Sequence, residues 1–261
     1  MKAGGIAIGS ILATVVAVHA AGNVTVDVDA GRVAADGDDA PNAILVTAGP
    51  DPDGILIAGL DGTTVNGAPD FAATGVRRLD IVTGRGADRV ELRQLRIRGA
   101  VHLRLGRGDD VVIAEQVTAR RLDVRTGAGN DAVTVGPQTR IRGLVNVHTG
   151  RDRDSVVLQS SNLSAIAVAT GPGDDVLDVF DTRVAGRTRV FTNTGQDVVV
   201  LALTEFVGDF DLNLGDDDDV LRLDAVVFDD DSDLDGGDDD DFLILDGPVD
   251  FDESPRVDDF E

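Results

Sequence analysis

From residue 79 onward, apolar residues return in columns that repeat about every 22 positions. One column holds Ile81, Leu103, Val124, Val147, Val168, Val190, Leu212 and Leu234, flanked by variable polar neighbours such as Asp80, His102 and Arg104. A second is a pair of apolar positions two apart: Val90 and Leu92, Val112 and Ala114, Val133 and Val135, and so on to Leu243 and Leu245. The positions between them vary, through Glu91, Thr134, Asp178 and Arg222. A third, weaker column runs through Ile97, Ile141, Val184, Phe206 and Phe228. Alternation with period two predicts short strands with one buried face. Three such strands per repeat leave no room for helices.

Gly-rich bends punctuate the repeat. The segments include TGRGADRVEL from Thr83, LGRGDDVVIA from Leu105, TGAGNDAVTV from Thr126 and TGPGDDVLDV from Thr170. Their aligned aspartates are Asp88, Asp110, Asp131, Asp154, Asp175, Asp197, Asp219 and Asp241, spaced 22, 21, 23, 21, 22, 22 and 22 residues apart. An earlier copy, TAGPDPDGILI around Asp53, lies 35 residues upstream of Asp88, with an insertion containing Asp61-Gly62-Thr63-Thr64-Val65-Asn66-Gly67 between them. A unit this short cannot bury its apolar face alone, so successive coils must stack, pairing their strands at about 4.8 Å. The expected fold is all-β: a right-handed parallel β-helix, or solenoid, of about 8–9 coils of about 22 residues, the hand following the bias of parallel crossovers.

Residues 47–245 are assigned to the β-helix. Residues 21–46 read as an N-terminal cap and entry strand, and 246–261 as a C-terminal acidic cap or tail, in which Pro248, Pro255 and many acids resist further pairing. Residues 1–20 read as a signal peptide: Lys2, an apolar stretch, then the small-residue cleavage site Val18-His19-Ala20. That places the mature chain outside the cytosol, as a secreted, periplasmic or cell-surface protein with no transmembrane segment.

Hydrophobic residues make up 42% of the chain but aromatics only 3%, with no Trp or Tyr, so the core is built from Val, Leu, Ile and Ala. The absence of Cys excludes disulfides, thiolate metal sites and Cys nucleophiles. The formal charge of −25 is unevenly spread: residues 1–76 carry 2 basic and 9 acidic groups, 77–160 carry 16 and 10, and 161–261 carry 5 and 29, netting −7, +6 and −24. The last block repels phosphate, which excludes nucleic acid as its partner. In the middle block Arg alternates with Asp and Glu, the pattern of a mixed solvated face.

The string Gly106-Arg107-Gly108-Asp109-Asp110-Val111-Val112 resembles the core of the calcium-binding repeat of repeats-in-toxin proteins. Over roughly residues 40–246 the chain is similar to secreted bacterial acidic Gly/Asp-rich parallel β-helix repeat proteins. The resemblance implies Ca2+ held between stacked turns by the Asp side chain and turn carbonyls. Carried over by position, the metal candidates are Asp110, Asp131, Asp175, Asp197, Asp219 and Asp241, with the adjacent Asp174, Asp218 and Asp240. Two departures stand against it: the toxin repeat recurs every nine residues, and its leading Gly is Thr or Leu in most copies here.

Stacked carboxylates at about 4.8 Å repel by roughly 1 kcal/mol in water and about 3.5 at an effective dielectric of 20. Divalent cations with oxygen ligands neutralise such a column. The competing expectation is that each Asp bonds neighbouring backbone N–H groups, with Arg85, Arg107 and Arg151 as internal counter-charges.

An enzyme finds little support. His102 and His148 fall on solvent-facing positions in different columns, and no Ser-His-Asp constellation, phosphate cradle or zinc spacing occurs. The expected function is a structural, surface or adhesion-type protein with Ca2+ association, in contact with divalent cations and with cell-surface or matrix polysaccharide. A polysaccharide lyase or hydrolase acting in a β-helix groove is the alternative. The column Thr83, Thr126, Thr149, Thr170 and Thr192 shares its position with Leu105 and Leu214, which places it on the inward face.

Overall fold

The computed structural model describes residues 22–261, so the leader read at residues 1–20 lies outside the described residues. Among the described residues every regular element is a strand. They wind into a parallel β-solenoid of about eight turns of roughly 22 residues. No helix among the described residues is long and apolar enough to cross a membrane.

Sheet 1 stacks Arg89–Arg93, Val111–Glu115, Ala132–Val135, Ser155–Gln159, Val176–Phe180, Val198–Ala202, Val220–Asp224 and Phe242–Leu245, each parallel to the next and in register. Sheet 2 stacks longer strands, among them Arg78–Arg85, Ala100–Arg107, Arg121–Ala128, Arg140–Arg151 and Asn162–Pro172. A row of two- and three-residue strands, such as Arg183–Val184 and Val226–Phe228, closes each coil. The three apolar columns meet between these walls as one continuous core, in which Leu103, Val124, Leu92 and Val133 have no exposed surface. In the last row Phe206, Phe228 and Phe251 stack with ring centroids 5.4 and 5.0 Å apart.

Register is enforced at the Gly-rich turns. Gly106 and Gly127 sit at φ 122° and 120°, a region closed to most side chains. A Cβ on either would come within 1.9 Å of the carbonyl oxygen of the glycine one coil below. The glycines therefore set how closely coils approach as well as how the chain turns.

The first coil departs from the expected alignment. Asp53 lies in an exposed turn, 3.1 Å from Arg98, and does not enter the aspartate column. The position below Asp88 is held by buried Asn42, followed by the sheet 1 strand Ala43–Ala48. The insertion explains the long spacing: Ile55–Gly59 and Asp70–Ala73 fold back antiparallel and extend sheet 1 past its first parallel strand. Ahead of them, Asn23–Asp29 and Arg32–Asp36 form an antiparallel hairpin, and the second of these strands starts the sheet 2 stack.

At the far end the acidic tail continues the stack, because Val249–Phe251 and Arg256–Asp258 pair in parallel with the coil before them. Neither proline interrupts this pairing: Pro248 precedes the first strand and Pro255 the second, the positions where a missing N–H is tolerated. Among the described residues no strand pairs beyond the last strand of sheet 1. That strand leaves Phe242, Ile244 and Leu245 47%, 41% and 59% exposed.

Candidate functional site

The eight aligned aspartates all point into the solenoid, and none exposes more than 2% of its surface. Each uses Oδ1 to accept the backbone N–H of the equivalent residue one coil earlier. Asn42 N–H donates to Asp88 at 2.7 Å, Asp88 to Asp110 at 2.8 Å, Asp110 to Asp131 at 2.8 Å, and so on to Asp219 donating to Asp241 at 2.8 Å. This is one unbroken ladder at the turn between sheet 2 and sheet 1. The positive-φ glycines swing these N–H groups inward, out of the sheet ladders, and the carboxyl supplies the acceptor that buried N–H groups require.

The other oxygen, Oδ2, has no hydrogen-bond partner in any of the eight. Where Thr precedes Asp by five residues, its hydroxyl lies within reach of the carboxyl, as at Thr83 and Asp88 or Thr149 and Asp154. That hydroxyl has one hydrogen, and it goes to the carbonyl of the next coil: Thr126 Oγ1 to Thr149 O at 3.0 Å, Thr149 Oγ1 to Thr170 O at 3.0 Å. Only lone pairs are left to face Oδ2. Burial pushes Asp88, Asp131 and Asp175 up to about 6 and Asp154, Asp197 and Asp219 up to about 7. Asp110, whose preceding column residue is Leu105, reaches about 8.

The adjacent acids behave differently. Asp109, Asp174, Asp218 and Asp240 are exposed on the outer edge of the same turns. Asp109 accepts the N–H of Asn130 at 2.8 Å, Asp174 that of Gln196 at 3.2 Å, and Asp218 that of Asp240 at 3.2 Å. Where a second glycine is replaced, Asp152, Asp217 and Asp239 take its place at φ 79° to 86°. Asp152 and Asp217 then bond the N–H of Gly129 and Gly195, at 3.2 and 3.1 Å, which offsets the strain of that backbone conformation.

Of the metal candidates, Asp110, Asp131, Asp175, Asp197, Asp219 and Asp241 thus lie inside the solenoid, and Asp174, Asp218 and Asp240 lie outside it. Among the described residues no three His, Cys, Asp or Glu side chains converge at metal-ligating distance. The outer edge is most acidic in its last two coils, where Asp216, Asp217 and Asp218 stack beside Asp238, Asp239 and Asp240, all exposed. Among the described residues no ion pair involves Arg85, Arg107 or Arg151, which occupy the coils before this patch.

His102 and His148 stand on the outer face of sheet 2 in different columns, beside Asp80 and Asp123 and beside Arg125 respectively. That face is a mesh of ion pairs, with Arg78 on Asp80 at 2.9 Å and Arg121 on Asp123 at 3.1 Å. An open groove of about 530 Å³ follows the corners after sheet 1, and there Asp181 and Glu205 flank Arg183, whose Nε donates to Glu205 at 3.0 Å. The corners themselves form a column missing from the sequence reading: Gln94, Gln116, Gln138, Ser160, Asp181, Leu203 and Ala225 all have φ between 46° and 59°.

The outer face of sheet 1 was also missed. One and three residues after each inner aspartate stand Val111 and Ile113, Ala132 and Thr134, Ser155 and Val157, Val198 and Val200, Phe242 and Ile244. The first of these positions is apolar in six of the eight coils and the second in four, where Glu91, Thr134, Asp178 and Arg222 interrupt it. Counting each column separately would have revealed it. No family model matches the chain, and neither a curated protein nor a solved structure matches it.

Proposed function

We propose that the chain is a structural or surface protein of the secreted, adhesion-type kind, a rod that associates with Ca2+ or other divalent cations along its exposed C-terminal acid edge. The observation that carries this reading is the way the repeated polar residues are used. In coil after coil, Asp caps an N–H, Thr caps a carbonyl and Gly makes room for the coil below. Their chemistry goes into building a long regular body. Cation association rests on the outer acids, Asp174, Asp218 and Asp240 with Asp216, Asp217, Asp238 and Asp239, whose solvated oxygens suit a weakly held hard cation. A cell-surface or matrix polyanion bridged by such cations is the partner this chemistry fits.

Titrating the protein with Ca2+, with Mg2+ as control, tests the cation reading. A rise in melting temperature of a few degrees is expected by about 10 mM, a margin above the roughly millimolar weak end of extracellular affinities. The rise should shrink when Asp218 and Asp240 are both changed to Asn. An unchanged melting temperature up to that concentration removes the cation reading.

The groove beside Arg183 supports a second reading, a lyase or hydrolase acting on acidic polysaccharide, since Asp181 stands where the earlier corners carry Gln and Arg183 pairs with Glu205 beside it. Release of unsaturated or reducing ends from polyuronates, lost on Arg183→Ala, would favour it over the structural reading.

A further inference from the structure

The fold sorts the arginines of residues 77–160 instead of mixing them evenly with acids. On the outer face of sheet 2 they stand beside carboxylates, as Arg78 beside Asp80 and Arg121 beside Asp123. On the short row that closes each coil they do not. There Ile97, Ala119 and Ile141 point inward in adjacent coils, which turns the residues on either side of them outward. Those residues are Arg96 and Arg98, Thr118 and Arg120, and Arg140 and Arg142. All five arginines are exposed, and among the described residues their one ion pair joins Arg98 to the exposed Asp53, at 3.1 Å.

Four guanidinium groups thus stand without a carboxylate on three adjacent coils of a chain whose net charge is −25. Glu115, in the coil of Thr118, is taken by Arg93 at 2.7 Å. The next acids along the wall are Asp181 at the corner and Glu205 on the row, two and three coils beyond Arg140. At ordinary strand spacing these lie about 10 and 14 Å away, outside the screening length of about 8 Å at physiological ionic strength. Their charge does not neutralise the wall, which is left to attract an anion from outside.

We infer that this wall binds an acidic polysaccharide directly, a polyuronate lying along the rod with successive carboxylates on arginines of successive coils. That partner class comes from the surface reading above, but this contact needs no cation. Arginine's planar fork takes a carboxylate through two parallel N–H bonds, and guanidinium is more weakly hydrated than an ammonium. The wall is bordered at its corner by the exposed amides of Gln94, Gln116 and Gln138, donors and acceptors for sugar hydroxyls. Carboxylate oxygens are also what a hard cation accepts, so the same polymer fits the arginines here and cations on the acid edge. Single-stranded nucleic acid fits less well. It is held by stacking its bases on aromatic rings as well as by its phosphates, and residues 94–98, 116–120 and 138–142 contain no aromatic side chain.

Titration calorimetry of the full chain with a short oligogalacturonate, in the presence of a chelator, tests this contact apart from the cation reading. The expected result is binding that weakens at least about tenfold in the double variant Arg140→Gln with Arg142→Gln. In the parent it should also weaken at least about tenfold as NaCl rises from about 0.05 to about 0.5 M, because bound counterions are released. The double variant Arg85→Gln with Arg107→Gln removes the same charge from a turn edge that already carries Asp109, and it should bind as the parent does. Circular dichroism and melting temperature close to those of the parent show that each variant folds, as expected for exposed side chains. A parent that does not bind at the lower salt, equal losses in the two double variants, or tighter binding of a single-stranded DNA of equal charge overturns the inference. Uronate binding by a chain whose melting temperature ignores calcium upholds this contact and removes the cation reading alone.

Discussion

Asp109 and Asp110 are neighbours in sequence and opposites in environment. Asp110 is fully buried, gives Oδ1 to the N–H of Asp88 and leaves Oδ2 without a hydrogen-bond partner. Asp109 sits in solvent and caps the N–H of Asn130 from outside. The pattern repeats at Asp174 and Asp175 and at Asp218 and Asp219, and Asp240 is likewise exposed beside buried Asp241. An acidic run such as Asp216 to Asp219 therefore contains two populations, three carboxylates facing water and one facing the core. The outer ones repel each other through a screened medium. The inner ones stand in a stack where ionisation is opposed by desolvation first and by neighbouring carboxylates second. Acid count alone says nothing about charge along such a turn.

The sharpest way to break the comparison is to delete an inner rung. Asp131→Ala removes the acceptor for the Asp110 N–H, which is buried away from solvent. It also leaves a void beside Thr126. An expected loss of about 3 kcal/mol combines an unsatisfied buried donor with a small cavity. Asp131→Asn keeps the oxygen and places N–H where the acid proton would be, so at neutral pH it should stay within about 1 kcal/mol of the parent or exceed it. Chemical denaturation of the two variants side by side checks this, and an Asn variant as damaged as the Ala one would mean that the rung works as an anion.

The proton gives the next largest effect. Burial raises the inner aspartates from Asp88 to Asp219 from 3.8 to about 6, 7 or 8, and raises Asp241 too, so the folded state binds protons that the unfolded state releases. Their contribution is complete below about pH 4 and is lost as pH rises through the folded values, between about 6 and 8. A carboxyl moved from 3.8 to about 6, as at Asp131, accounts for roughly 3 kcal/mol by itself, and rungs in one stack do not add independently. Melting temperature should fall between pH 4 and pH 8, less steeply in Asp131→Asn. A melting temperature that climbs over this range would show the column to be ionised and compensated.

The same partition explains what the sequence made legible. The repeat length, the inward columns and the inward threonines follow from period-two alternation, which survives any detail of the turns. Whether the aspartate faced in or out did not follow. It stands two residues before the first apolar position of its strand, which by alternation points it inward, but the Gly-x-Gly turn directed attention to outer-edge cation chemistry. The first coil misled for a related reason: Asp53 sits in an Asp- and Gly-rich string, yet Asn42, with Ile44 and Val46 two and four residues on, carries the strand pattern. The left-handed corner at Gln94, Gln116 and Gln138 had no signal, because its residues are not those that favour positive φ.

The smallest effect belongs to the outer edge, and its sign is informative. Asp218→Asn keeps an acceptor for the Asp240 N–H and removes one charge from the patch formed by Asp216, Asp217, Asp238, Asp239 and Asp240. Exposed like charges at this spacing cost a few tenths of a kcal/mol each when unscreened. Without divalent cations, the variant should therefore melt slightly above the parent at about 0.02 M NaCl. The gap should close by about 1 M, where the screening length is about 3 Å. An inner Asn variant should keep its advantage at both salt concentrations, because the column is closed to ions. If both variants responded to salt alike, inner and outer carboxylates would share one solvated environment, and the distinction drawn between Asp109 and Asp110 would fail.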